Sequence, residues 1–159
     1  MEAILRELAR DARQTPAEIA ASTGMTESEV STLITEAEAR GVILSWGARI
    51  NWEALGQPIV FAVIEVTVEP QENVGYNAVA RRIARFDEVS TVYFVSGAYD
   101  LLVMVEATNM ASISDFVGDR LATMPGVKGT TTRVLMRRYK EGGVMLERED
   151  GGNRQKVVF

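Results

Sequence analysis

The stretch Tyr93-Phe94-Val95-Ser96-Gly97-Ala98-Tyr99-Asp100-Leu101-Leu102-Val103-Met104-Val105-Glu106 constrains the fold more than any other part of the chain. Two runs rich in β-branched, aromatic and aliphatic residues are interrupted only around Ser96-Gly97-Ala98, the pattern of two antiparallel strands joined by a tight turn. A chain with this hairpin near its middle must build a sheet around it. Tyr99 and Asp100 follow at once, placing a hydroxyl and a carboxylate beside a glycine at the mouth of that sheet, where a small polar ligand could be held. The same residues also admit a purely structural reading, in which Gly97 permits the reversal and Asp100 caps it.

The flanking sequence supplies the rest of the sheet. Ile59 to Val68 is a nearly continuous apolar run, expected to form a strand buried on both faces or at a subunit contact. Tyr76, Val79, Ala80, Ile83 and Phe86 share one helical face, with Arg81, Arg82 and Arg85 pointing away. Strands are expected over Val89 to Val95 and Tyr99 to Ala107. Ile113, Phe116, Val117 and Leu121 mark a second helix stopped by Pro125-Gly126, and Val127 to Arg138 reads as the last strand. The order β-α-β-β-α-β is the ferredoxin-like arrangement, an antiparallel sheet with helices on one face. With no further helix to cover the other face, a second subunit is expected there.

The N-terminal part has a different rhythm. Ile4, Leu5, Leu8 and Ala9 recur at helical spacing from Glu2 to about Asp11. Thr15-Pro16-Ala17-Glu18 then combines an N-cap, a proline at the first helical position and a glutamate three residues after the cap. Thr26-Glu27-Ser28-Glu29 repeats that grammar after Gly24 and opens a helix with Val30, Leu33, Ile34 and Ala37 on one face, ending at Gly41. Two capped helices around a glycine turn make a helix-turn-helix. Val42 to Trp52 is expected to add two short strands around Gly47, a wing. The chain thus divides into a winged helix-turn-helix at 1–53, a linker at 54–58, a ferredoxin-like domain at 59–140 and a tail at 141–159. The two alternating arms of that tail around Asp-Gly-Gly-Asn fit a β-hairpin or a frayed end equally. The fold class is α+β.

Composition removes most chemistry. With no cysteine and no histidine, the chain lacks a thiol nucleophile, a thiolate metal site and the commonest general base, so no cofactor or catalytic residue is expected. Asp115 and Asp119 share a helix face without a third ligand and do not make a metal site. No apolar run reaches the roughly 20 residues of a membrane helix, and a charged helical start replaces a signal peptide, so a cytoplasmic protein is expected. A net charge of −5 provides no overall basic field, and any nucleic-acid contact must rest on local patches such as Arg81, Arg82 and Arg85 or Arg137-Arg138-Tyr139-Lys140.

A winged helix-turn-helix followed by a β-α-β-β-α-β domain with Ser-Gly-Ala-Tyr-Asp in its central turn resembles the Lrp/AsnC, or feast/famine, family of transcription regulators. The resemblance is carried by Thr15 to Ala20, Gly41-Val42-Ile43, Ala48 to Asn51 with Leu55-Gly56, and Gly97 to Leu101. It implies double-stranded DNA as a partner, homodimers paired through the C-terminal sheets that often assemble further into octamers, and an amino acid or related small effector bound between subunits near the glycine-to-aspartate turn. Gly97, Tyr99 and Asp100 match that motif, with Ala98 between them. Backbone amides at the turn suit an α-carboxylate, and Asp100 suits an α-ammonium group. Thr130 and Thr132, on either side of Thr131, could add hydroxyl donors from the neighbouring subunit, or act simply as strand formers.

The helix-turn-helix departs from the family in one respect. Typical members carry several basic residues in the recognition helix, where this chain has Thr32, Leu33, Thr35 and Glu36. Residues 1–53 hold five arginines against nine carboxylates, a net of −4. DNA contact would then fall to the hydroxyls of Thr26, Ser28, Ser31, Thr32 and Thr35, to the helix N-terminus, and to Arg40 and Arg49 at the flanks. Two alternatives accompany this reading: an oligomeric effector sensor with weak or no specific DNA binding, and an enzyme like the sirohaem decarboxylases, which resemble the same two-domain fold but whose chemistry the absence of histidine disfavours.

Overall fold

The first unit, Met1–Ile50, is built on helix starts that are written locally. Helix α1 (Glu2–Arg10) turns Ile4 and Leu8 inward. Helix α2 (Pro16–Thr23) begins at Thr15, whose hydroxyl oxygen accepts the Glu18 amide while the Glu18 carboxylate accepts the Thr15 amide at 2.7 Å. Helix α3 (Glu27–Ala39) repeats the device, Glu29 accepting the Thr26 amide at 2.8 Å. Each box satisfies amides that a helix start leaves unpaired. Gly24, at φ 72°, ends α2 in the left-handed region that glycine favours and lets α3 follow after a short turn. Ile4, Leu8, Ile19 and Val30 form the core, packed around by Met25, Leu33, Ile34 and Ile43.

These caps make two predictions. Thr26→Ala should cost the helical unit about 1 kcal/mol in urea denaturation, the usual loss of a threonine N-cap; an unchanged midpoint would contradict the box. The amide and then the hydroxyl donors of Thr15 and Thr26 hold the Glu18 and Glu29 carboxyls below the usual range. Since the folded values lie below the unfolded one, near 4.3, this stabilisation is complete above about pH 4.3 and lost as pH falls through the folded values. The double variant Glu18→Gln/Glu29→Gln should therefore show a shallower acid-induced loss of helical circular dichroism than the wild type.

The expected wing strands are not formed. Val42 and Ile43 donate to the Ala37 carbonyl at 2.8 and 3.2 Å and end α3, after which residues 44–50 carry no strand. Leu44 is 88% exposed, and the Trp46 Nε1 donates to the Glu38 Oε1 at 2.7 Å, drawing the segment back toward α3. The β-branched composition was the only signal for strands here, and a lone two-stranded ribbon with no apolar face to bury is marginal in water.

The second unit begins at Asn51. The computed structural model describes residues 1–57, 59–69 and 75–146 of the chain. A short 3₁₀ turn (Glu53–Leu55) precedes strand β1 (Val60–Val68), helix α4 (Tyr76–Ile83), β2 (Val89–Phe94), β3 (Leu101–Ala107), helix α5 (Met110–Asp115) and β4 (Val127–Val134). The sheet is antiparallel with order β2-β3-β1-β4. Helix α5 continues into a π-helical turn, Phe116–Leu121, whose wider winding brings Phe116 and Leu121, five residues apart, both into the core. Ala62, Ile64, Val66 and Val68 of β1 and Leu101, Val103 and Val105 of β3 form that core with Val79 and Ile83 of α4 and Ile113 of α5.

Of the two readings of the apolar run in β1, burial on both faces does not hold within one chain, which leaves the subunit contact. Burial alternates along it, with Val63, Glu65 and Thr67 only half-buried on the face away from the helices. That open face also carries Leu102, Met104 and Tyr93, the last 57% exposed. Strand β4 stops at Val134 rather than Arg138, because the chain turns over the sheet: the Arg138 guanidinium lies 3.5 Å above the Phe61 ring. Arg138 is thus no part of a surface patch with Arg137 and Lys140. A small hairpin follows, β5 (Lys140–Glu141) with β6 (Val144–Met145) around Gly142-Gly143. Most of the tail hairpin expected for 144–159 lies outside the described residues.

Candidate functional site

Helix α3 presents Ser28, Ser31, Thr32 and Thr35 to solvent. Thr32 and Thr35 donate to the carbonyls of Ser28 and Ser31 at 2.9 and 3.1 Å, and the Thr26 hydroxyl donates to the Glu29 carboxylate at 2.7 Å, so these three hydroxyls are already engaged in the isolated chain. Those of Ser28 and Ser31 have no partner among the described residues. The cations of this unit are unequally available. Arg6, Arg10 and Arg13 pair with Glu2, Glu7 and Asp11 at 2.6, 2.6 and 3.2 Å, whereas Arg40 and Arg49 are exposed and without an ion pair among the described residues. The geometry of the fold therefore leaves a helix surface of small hydroxyl side chains with two available arginines.

The second candidate lies at the end of the sheet where β2 turns into β3. The Val95 amide donates to the Asp100 carbonyl at 2.9 Å, the Asp100 amide to the Val66 carbonyl at 3.0 Å, and the Val68 amide to the Asp100 Oδ2 at 2.8 Å. The Asp100 carboxylate does not cap the turn, as the structural reading had it, but ties it to the end of β1, where the register against β4 shifts between Thr67 and Val68. The amides of Ser96, Gly97, Ala98 and Tyr99, by contrast, donate to no protein group among the described residues. Gly97 has φ 142° and open space where a Cβ would stand, and Ser96 to Ala98 are exposed. A run of unpaired amides beside a half-buried carboxylate is an arrangement with affinity for both ends of a zwitterion.

The threonines are not at this turn within one chain. Thr130 pairs with Val66 and Thr132 with Ile64, which puts both on the helix side of β4, two strands away from β3. Sequence reasoning also missed a pair on the open face. The Arg133 Nε and Nη2 donate to the two oxygens of Glu65 at 2.8 and 3.2 Å, a two-pronged bridge from β4 to β1. That hydrogen bonding holds the Glu65 carboxyl below its usual range and raises Arg133. Its signal was absent from local sequence, since the partners lie on strands 68 residues apart. Among the described residues no group of three carboxylates, histidines or cysteines could hold a metal ion, and no helix is long and apolar enough to cross a membrane.

Comparison with known proteins identifies the family of both parts. Residues 61–145 match the family model of the Lrp/AsnC ligand binding domain, and residues 2–43 match a winged helix-turn-helix DNA-binding model. An uncharacterized HTH-type transcriptional regulator of Bacillus subtilis is 38% identical over 152 residues, covering 95% of this chain and 92% of that protein. The leucine-responsive regulatory protein of Rhizobium meliloti is 33% identical, covering 87% and 88%. Among solved structures, the leucine response regulatory protein of Mycobacterium tuberculosis superposes with a TM-score of 0.75 at 26% identity, covering 91% and 96%. A feast or famine regulatory protein from the same organism, complexed with L-methionine, gives 0.71 at 26% identity, covering 92% and 96%. These relatives are transcriptional regulators, so the enzyme alternative does not hold. With both of its parts matched and its relatives aligned nearly end to end, the chain belongs to the Lrp/AsnC family of DNA-binding transcriptional regulators.

Proposed function

We propose that this regulator responds to an amino acid or a closely related zwitterion bound at the Ser96–Asp100 turn, acting as a homodimer or a higher assembly of dimers in the cytoplasm. The observation that carries the reading is the run of four unpaired amides beside Asp100. The α-carboxylate of the ligand would take the amides, and its ammonium group the carboxylate oxygen that Val68 does not use. The methionine bound in the feast or famine relative supports the ligand class. The half-buried Val63, Leu102 and Met104 on the open sheet face support a second copy as its cover; Thr130 and Thr132, on the helix side of β4, do not face it. On the DNA side, Ser28, Ser31, Thr32 and Thr35 with Arg40 and Arg49 form the proposed contact surface, and Thr26 supports it as a cap.

The test is fluorescence anisotropy of the full chain on a labelled duplex of its own upstream region against a scrambled duplex, over a salt series. Preference for the upstream duplex that changes when an amino acid is added supports the proposal. Equal affinity for both duplexes, unmoved by every amino acid tried, would favour an architectural or DNA-silent role instead.

A further inference from the structure

The helical unit is short of positive charge for a DNA reader. Three of its five arginines are neutralised by carboxylates on or next to α1, and α3 carries Glu27, Glu29, Glu36 and Glu38. Because each phosphate neutralised contributes a counterion-release increment, two unpaired arginines supply little of the sequence-independent affinity a regulator needs. The second unit holds what is missing. Its Arg120, Arg133 and Arg138 are paired with Glu88, Glu65 and Glu141, but Arg81, Arg82 and Arg85 are exposed and have no ion pair among the described residues. Val79 and Ile83 anchor α4 to the sheet, which turns the opposite side of the helix, with Arg81, toward solvent, while Arg85 follows in the turn just after the helix end, its amide donating to the Arg82 carbonyl at 3.3 Å. From Gly75 to Phe86 the chain has no acidic residue, in a protein with 22 of them. Ala84, between the arginines, is small and exposed, leaving the guanidinium groups unobstructed.

We infer that the exposed C-terminal end of α4 and the turn after it, through Arg81, Arg82 and Arg85, is a second DNA-contacting surface that binds the phosphate backbone of the duplex without reading its sequence. The inference rests on the DNA-binding role of the helical unit and adds to it the electrostatic part that α1 and α3 lack. Three guanidinium groups clustered at a helix end suit phosphate oxygens, to which arginine donates through two parallel N–H groups.

The experiment compares the full chain with its R81Q/R82Q/R85Q and R81K/R82K/R85K variants, on the upstream and the scrambled duplex, by anisotropy across a sodium chloride series. Glutamine keeps helix propensity, and circular dichroism checks the fold. The glutamine variant should bind both duplexes at least tenfold more weakly at low salt, with the slope of log K against log salt shallower by about 2 to 3 and the preference between duplexes retained. The lysine variant should keep most of the slope. If the triple glutamine variant loses helical signal, the single variants R81Q and R85Q are read in its place, each expected to reduce the slope by about 1. Wild-type binding with unchanged affinity and slope in the glutamine variants would overturn this inference alone and leave the cluster as a solvated helix end. A wild type that binds neither duplex at low salt would overturn it together with the DNA-binding role.

Discussion

Asp100→Asn should lower the affinity of the full chain for the amino-acid effector proposed above at least tenfold in calorimetry, while leaving the melting temperature nearly unchanged. The asparagine carbonyl can still accept the Val68 amide that Asp100 Oδ2 takes at 2.8 Å, so the link between turn and β1 survives. What disappears is the charge that would meet an ammonium group, and a charge-assisted hydrogen bond of this kind is worth about 1.5–3 kcal/mol. Asp100→Ala should lose the same affinity and also destabilise the second unit by about 1–3 kcal/mol, because the Val68 amide is then left without its acceptor. The pair of variants separates the two roles of one carboxylate. If the asparagine variant binds a wild-type ligand with unchanged affinity, Asp100 is a structural tie only.

Arg138→Ala is expected to have the largest effect on stability, about 2–4 kcal/mol lost from the second unit, chiefly through the removal of a desolvated cation and its packed stem from an aromatic face, the Glu53 and Glu141 carboxylates it pairs with being largely exposed. The Arg138 side chain is 12% exposed, sits over the Phe61 ring and bridges Glu141 at 2.5 Å and Glu53 at 3.8 Å. Asn51 reinforces the same junction by donating to the Leu146 carbonyl at 3.1 Å. One guanidinium therefore joins the start of the sheet, the 3₁₀ turn before it and the β5–β6 hairpin after it. Arg138→Met keeps the packing on Phe61 and should recover part of the loss. Hydrogen exchange would localise the effect: amides at 53–56 and 140–145 should lose protection in the alanine variant, and uniform loss across the sheet would contradict the assignment of Arg138 to this junction.

What could be read from the chain was what depends on near neighbours. The two capping boxes need only residues three apart, and the β2–β3 hairpin only a turn between apolar runs, so Thr15, Thr26 and Gly97 announced themselves. The ferredoxin-like order followed from the alternation of helical and strand patterns. What escaped was set by distant partners. Asp100 meets Val68, Glu65 meets Arg133, and Arg138 meets Phe61, pairs that no local pattern connects. The wing failed for the complementary reason: Val42, Leu44 and Ile50 have strand propensity, but without a surface to cover them that preference does not form a ladder. The β5–β6 hairpin did have a signal, since Gly142-Gly143 between Lys140-Glu141 and Val144-Met145 is a two-residue turn sequence. The unpaired amides of the turn became visible only with the backbone traced.

The central claim couples an amino acid at the Ser96–Asp100 turn to DNA affinity, and one measurement addresses it most directly: anisotropy on the upstream duplex with and without each of a panel of amino acids, using the full chain and Asp100→Asn side by side. The account predicts that at least one amino acid shifts wild-type DNA affinity by about 5-fold or more, a typical allosteric coupling, and that the same concentration leaves Asp100→Asn unmoved. An amino acid that shifts both proteins equally, or none that shifts the wild type at all, would contradict it.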